Sequence, residues 1–332
     1  MIKREFTVSK KMEEQISEAL KALGYELSNA TKIADCILQL SDFFIQSGHH
    51  STPWKEKWAQ VAYLAYFLPL NFARVQAAMN EGQSLGFFKD LDQAIDFGAG
   101  PGTASIALTE LFQAENIQMI EWAEQAAQQS KFFGSFKNAH QFEARMLKNP
   151  KKTLGVFSYS LTELNTFPSW ATDCEALMIL EPATQNDGRR LQELRGKLIE
   201  QGFYAWAPCT HQQACPLLVH SKKDWCHDRI FFKAPKWFEQ IEKHLPIKNK
   251  TLTYSYLLAR KSAPEVMARQ GRLIGDQLEE KGKDRQLFCR NDRREYLAWL
   301  HKRGPTPELY RGNLFELPEH IEEVSNEIRF QN

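Results

Sequence analysis

Apolar positions recur at helical spacing through residues 1–90 and then change register. Lys10–Leu23 places Met12, Ile16, Ala19, Leu20 and Leu23 on one face, with Gly24 suited to a C-cap. Asn29–Phe44 repeats the pattern with Ile33, Ile37 and Leu40 inward. Gly48–Pro53 reads as a break. Trp54–Leu68 reads as an aromatic-rich helix ended or kinked by Pro69, and Asn71–Glu81 as a fourth helix. From residue 91 short apolar runs alternate with amphipathic stretches. Strands are predicted at Ala94–Phe97, Gln118–Trp122, Phe142–Met146, Leu154–Tyr159, Leu177–Leu180, Phe203–Ala207 and Tyr254–Ala259. Helices are predicted at Thr103–Phe112, Ala123–Phe133, Gly188–Gln201 and Trp237–His244. Alternating strands and helices imply a mostly parallel α/β sheet covered on both faces. Beyond Ser262, Gly271–Leu278 and Asp284–Arg290 suit a hairpin, Arg293–His301 reads as helical, and Glu308–Asn332 as a loosely ordered tail.

The expected organisation is a helical region over 1–90, a nucleotide-binding type domain over 91–261 with a cysteine-rich insertion at 207–230, and a small β-containing extension over 262–332. A chain of 332 residues with 43% hydrophobic and 25% charged residues buries enough surface to fold without disulfides. Its net charge of +1 excludes a polybasic mode of nucleic-acid binding, though not a local basic face. Val61–Leu70 is too short to span a membrane, and the N-terminus has no secretory or transit pattern. These features predict a cytoplasmic protein. In a reducing compartment its six cysteines are metal ligands, catalytic groups or buried thiols rather than disulfides.

The sharpest local signal is Asp96-Phe97-Gly98-Ala99-Gly100-Pro101-Gly102-Thr103, between a strand and a helix. Alternate glycines let the backbone turn tightly against a ligand, and the helix start offers free N–H groups. The spacing departs from the dinucleotide fingerprint, and no Walker lysine follows. An acid before G-x-G-x-G is similar to the S-adenosylmethionine (SAM) loop of class I methyltransferases. Glu121 ends the second strand, where an acid suits the ribose hydroxyls. Ser160, Glu163 and Glu181 follow later strands and either orient a substrate or cap helices. Neither an N-P-P-Y motif nor a Pro-Cys nucleophile follows the fourth strand, so no methyl-transfer catalyst is visible.

Cys209, Cys215 and Cys226 fall within 18 loop-rich residues. Soft thiolates at C-x5-C-x10-C suit zinc or an iron–sulfur cluster, with unligated thiols as the third option. His211, His227 and the distant Cys289 are candidate fourth ligands. Cys36 and Cys174 read as buried small hydrophobes.

The joined set resembles the methyltransferase-like assembly factors of the mitochondrial small ribosomal subunit and their bacterial relatives. The carrying stretches are AYLAYFLPLNFARV (62–75), DFGAGPGTA (96–104), SYSLTEL (158–164), ILEP (179–182), APCTHQQACPL (207–217), DWCH (224–227) and RLIG…KGKDRQLFC (272–289). The resemblance implies a class I SAM-methyltransferase fold, SAM held by Asp96, Gly98, Ala99, Gly100, Pro101, Gly102, Glu121 and Ser160, and association with the small subunit and its rRNA. It also implies a structural [4Fe-4S] cluster on Cys209, Cys215, Cys226 and Cys289, with zinc as the alternative metal. The expectation is an RNA-directed methyltransferase-like protein, monomeric off the ribosome. The alternative is an assembly factor that binds SAM and RNA without methyl transfer. Residues 209–260 carry nine bases against four acids, with Phe231, Phe232 and Trp237 interleaved, which suits an RNA face. Arg189, Arg190, Arg195 and Lys197 add to it.

Overall fold

A computed structural model describes residues 3–47, 51–164, 166–265 and 270–330. The expected break at Gly48–Pro53 therefore falls partly outside the described residues. The chain opens with β1 (Glu5–Thr7), then α1 (Lys10–Ala22) and α2 (Ala30–Ser47). Ser9 caps α1 by accepting a hydrogen bond from Met12 N–H at 3.2 Å. α3 (Lys57–Ala62) runs into a π-helical turn, Tyr63–Phe67, and then α4 (Leu68–Ser84). Pro69 does not end this helix. It sits in the first turn of α4, where a missing N–H is tolerated, and the π turn before it lets Leu68 N–H reach back to Tyr63 O.

The sheet begins with β2 (Gln93–Phe97), followed by α5 (Thr103–Leu108), β3 (Ile117–Ile120), α6 (Glu124–Gln129) and β4 (Lys137–Ala139). β5 (Thr153–Ser158), β6 (Ala176–Glu181), α7 (Gln185–Glu200) and β7 (Tyr204–Ala207) come next. α8 (Pro216–His220), β8 (Asp228–Lys233), α9 (Lys236–Glu242) and β9 (Thr251–Arg260) complete it. The strand order is β1-β8-β9-β6-β5-β2-β3-β4, with β7 also on β9. β9 runs antiparallel to β6 while β2 to β6 are parallel. A parallel sheet with one antiparallel strand near the edge is the expected class I methyltransferase fold. Strand parity divides two cores. Met178 and Leu180 face the N-terminal helices, whereas Leu177 and Ile179 face α7 with Leu191 and Leu198.

β7 and β8 lie end to end along the same edge of β9. Ala207 pairs with Leu258 and Asp228 with Tyr254. The cysteine-bearing segment 208–227 is thus an excursion from a split edge strand, leaving at the cis Ala207–Pro208 bond.

The C-terminal part is more ordered than the sequence suggests. The predicted hairpin is present as β10 (Gln270–Glu280) and β11 (Lys283–Arg290). The expected helix at Arg293–His301 is instead β12 (Arg293–Leu300), paired along its length with β11. The expected loose tail contains β13 (Leu314–Glu316), β14 (Ile321–Val324) and β15 (Glu327–Phe330). Pairing to neighbours overrides the local helix preference of Arg293–His301. The third parallel strand is also displaced. Phe142–Met146 holds a 3-10 turn, and the ladder is made by polar Lys137–Ala139, which among the described residues pairs only with β3. β1 and β8 have no counterpart in the sequence reading.

Candidate functional site

β2 ends at Phe97 and the glycine turn carries the chain into α5 at the carboxyl edge of the sheet. Gly98, Gly100 and Gly102 take φ values of +68°, +55° and +89°, so each needs the left-handed freedom of glycine. Asp96 is buried and one of its oxygens accepts hydrogen bonds from Ser105 N–H (3.0 Å) and Oγ (2.7 Å). Its other oxygen is buried with no partner. Burial pushes the carboxyl up to about 6, against the pull of the Ser105 bonds. Glu121, also buried, accepts from Gly100 N–H at 2.8 Å and Ala123 N–H at 2.7 Å, tying the end of β3 to the turn. It therefore acts as a helix-start acid while reaching the glycine turn.

Ser160 stands against the turn, its Cβ 2.5 Å from where a Cβ on Gly98 would lie, and its hydroxyl is buried without a partner. Two residues that sequence reasoning missed cover the turn. Trp54 lies 3.5 Å and Tyr63 3.9 Å from the Cβ position of Gly100, their rings 4.8 Å apart. Tyr63 belongs to the π turn before Pro69, a signal visible in the sequence. Tyr159, at the end of β5, adopts φ +61° and buries an unpartnered hydroxyl. A bulky residue in the left-handed region is strained, a state concentrated at functional crevices. Glu181 is buried at the end of β6. It accepts from Leu161 N–H (3.1 Å) and faces Arg190, the capping role allowed above; burial pushes it up to about 8.

The second cluster lies beside α7, where the insertion meets the C-terminal hairpin. Cys209, Cys215, Cys226 and Cys289 line one cavity of about 30 Å³ together with Arg195 and His211. The hairpin strand β11 carries Cys289 to the insertion, where its Sγ lies 3.8 Å from His211 Nε2. Burial and the neighbouring thiols push Cys215, Cys226 and Cys289 up, so four thiolates there call for positive charge. Arg195 brings one such charge while its guanidinium donates to the carbonyls of Gln213 (2.9 Å) and His211 (2.6 Å). Arg189 similarly holds the carbonyls of Ser221 and Asp224. Both arginines face the insertion rather than an RNA surface. Among the described residues, no three His, Cys, Asp or Glu side chains stand close enough together to hold a single metal ion. Cys36 and Cys174 are buried in the cores, as expected.

Residues 57–312 match the family model described as mitochondrial small ribosomal subunit Rsm22. The chain belongs to the Rsm22 family. No curated protein matches it at a significant level. Among solved structures it is similar to a SAM-dependent methyltransferase from Archaeoglobus fulgidus, at 14% identity and TM-score 0.32, covering 57% of this chain and 94% of that one. It is also similar to magnesium protoporphyrin IX methyltransferase from Synechocystis with bound SAM, at 10% identity and TM-score 0.30, covering 59% and 85%. At this level of superposition the fold rests on the strand order itself.

The basic stretch of this Rsm22-family chain is only partly free. Arg229 pairs with Asp276 at 2.7 Å and Arg260 with Glu175 at 3.1 Å. Lys222, Lys223, Lys233, Lys236, Lys243 and Lys250 are exposed. The interleaved aromatics are packing residues: Phe232 is buried against Phe238, Trp237 contacts Phe238, and Phe231 meets Tyr310. Among the described residues no helix is long and apolar enough to cross a membrane.

Proposed function

We propose that this protein binds SAM at Asp96, Gly98–Gly102, Glu121 and Ser160 and acts on the small ribosomal subunit or its rRNA. The observation that carries the reading is the unpartnered oxygen of buried Asp96 beside a left-handed glycine turn. An acceptor left alone in a dry crevice favours a cationic donor such as the ammonium of SAM. Glu121, directly after β3, stands where an acceptor suits the ribose hydroxyls.

Cys209, Cys215, Cys226 and Cys289 would hold a [4Fe-4S] cluster in the cavity they line. Such a cluster spreads its ligands over four irons, so it does not need three donors gathered round one ion, as zinc does. It would supply charge compensation for the thiolates and a clamp between β11 and the insertion.

A second reading has its own support. Neither an N-P-P-Y motif nor a Pro-Cys nucleophile follows the fourth strand, which favours an assembly factor that binds SAM and the particle without methyl transfer. Incubation with methyl-labelled SAM and immature small subunits, followed by tryptophan fluorescence, separates these. Transfer of label to RNA supports the first reading. A fluorescence change without transfer supports the second, and no SAM binding at any concentration overturns both.

A further inference from the structure

The C-terminal strands have an order of their own. β10, β11 and β12 form an antiparallel meander, β12 pairs parallel with β15, and β15 pairs antiparallel with β14. The single stretch 314–324 supplies both remaining edges, β13 on β10 and β14 on β15. Taking 314–324 as one broken fourth strand, the order is 1-2-3-5-4-1, that of a five-stranded oligonucleotide-binding barrel. Its first strand is bent by a register shift between Leu273 and Gln277, around Gly275. The interior is Leu273, Phe288, Leu297, Leu317 and Ile328.

Strand parity puts Lys283, Arg285, Leu287 and Cys289 of β11 on the outward face with Arg294, Tyr296 and Ala298 of β12. One end of that face is taken. Cys289 enters the cysteine cavity, and Arg294 reaches Asp224 of the insertion at 2.7 Å. The other end is open to solvent. Toward it the guanidinium of Arg285 lies over the Tyr296 ring, 4.6 Å from its centre, and that of Arg294 reaches over the ring from the taken end at 5.7 Å. Lys283, Arg285 and Arg329 share two carboxylates, Glu280 and Glu327. Arg303 and Glu322 cancel as a pair. Lys281 and Lys302, both exposed, lie in turns joined by the His301 N–H···O=C Gly282 bond and have no carboxylate partner among the described residues. With Glu279 exposed on the same hairpin and Asp284 held by His301 at 3.1 Å, the charges of this end nearly balance, and Lys281 and Lys302 are its bases without a carboxylate, beside a half-buried aromatic ring.

We propose that this face, with Arg285 layered on Tyr296 as stacking platform and Lys281 and Lys302 as phosphate contacts, binds single-stranded RNA. In such barrels the second and third strands and the turn between the first two are where unpaired bases stack and phosphates are held. A duplex conceals its base faces from a lone ring, so the geometry selects single strands. The inference rests on the reading of rRNA as partner, and it assigns that partner to the C-terminal barrel rather than to the lysines of 222–250.

The test is fluorescence anisotropy of the full chain with a labelled oligouridylate of about twelve nucleotides, within the usual footprint of one such barrel. Tyr296→Ala weakens binding by roughly tenfold, whereas Tyr296→Phe, which keeps the ring, leaves it unchanged. The pair Lys281→Ala and Lys302→Ala flattens the salt dependence by about 1.4 in log–log slope, as two lost phosphate contacts on a single strand require. These turn lysines are solvent-exposed, so the double variant folds. Affinity within twofold of wild type in both Tyr296→Ala and the lysine pair overturns the proposal, as does equal affinity for an RNA duplex. Loss of co-sedimentation with small subunits at unchanged oligonucleotide affinity would give the face to a ribosomal protein and also overturn it. SAM binding is measured on the same samples, so failure of the cofactor reading is seen separately from failure of this one.

Discussion

Replacing Arg272 with Met should loosen the C-terminal barrel from the rest of the molecule. Arg272 is 3% exposed and makes three contacts to three separate segments. It donates to Glu81 of α4 at 2.6 Å, to the carbonyl of Pro208 at 2.8 Å and to the carbonyl of Gly312 at 2.8 Å. Pro208 immediately precedes Cys209, and Arg272 pairs with Cys289 across the β10–β11 ladder, so one guanidinium braces both halves of the cysteine cavity. Methionine fills much of the volume but leaves Glu81 and two carbonyls without donors. Removing one partner of a buried ion pair costs about 3–5 kcal/mol. The two carbonyl bonds belong to the same network and are not added on top. Arg272→Lys should recover part of the loss, since an ammonium cannot fork to three acceptors. Pairing Arg272→Met with Glu81→Gln should cost less than the sum of the single changes by about 1–3 kcal/mol, because no lone carboxylate is left. Urea unfolding of the full chain, followed by tryptophan fluorescence, measures the wild type and the four variants. A midpoint for Arg272→Met within about 0.5 kcal/mol of wild type, the range of ordinary surface substitutions, would refute the bracing role.

Three further outcomes follow from single positions. Gly312 has φ +86°, and a Cβ there would lie 1.6 Å from Asp228 Oδ1, so Gly312→Ala must break the buried Arg4–Asp228 pair and should cost about 3–5 kcal/mol in thermal or urea unfolding. Asp96 is raised by burial from 3.8 to about 6, so the folded state holds its proton longer than the unfolded one, and this group's contribution to stability falls as pH rises from about 4 to 6. Asp96→Asn should remove that slope, on the order of 3 kcal/mol across the window, and should also weaken SAM binding in calorimetry at least tenfold. Tyr159→Phe deletes a buried hydroxyl that has no partner, so unfolding should show equal or greater stability, by up to about 1 kcal/mol.

The central sheet was legible because its strands are buried on both faces and read as short apolar runs. β5 and β6 are each within a few residues of expectation, Asp96 lies one residue before the end of β2, and Glu121 directly follows β3. The elements that escaped are those whose stability comes from a partner rather than from their own pattern. Polar β4 pairs at an edge, β1 is three residues held on β8, and β12 reads as a helix until β11 is beside it. Cys289 was placed with the other thiols by family resemblance, and the folded chain brings it to the same cavity. Spacing could not have done so, because 62 residues separate Cys226 from Cys289 and Cys289 lies in a strand of the C-terminal sheet. Trp54 over Gly100 was equally hidden, since its approach depends on how the N-terminal helices dock on the sheet. The arginines of α7 were misjudged because charge counting cannot tell a solvated guanidinium from one that holds loop carbonyls.

The most direct test of the proposed cluster-clamped, SAM-binding protein is elemental. Purified without oxygen, the wild-type chain should contain about four iron and four sulfide per molecule, be brown, and lose colour and stability together in Cys215→Ser. A colourless protein with one zinc per chain, or with no metal and unchanged stability in Cys215→Ser, would contradict it.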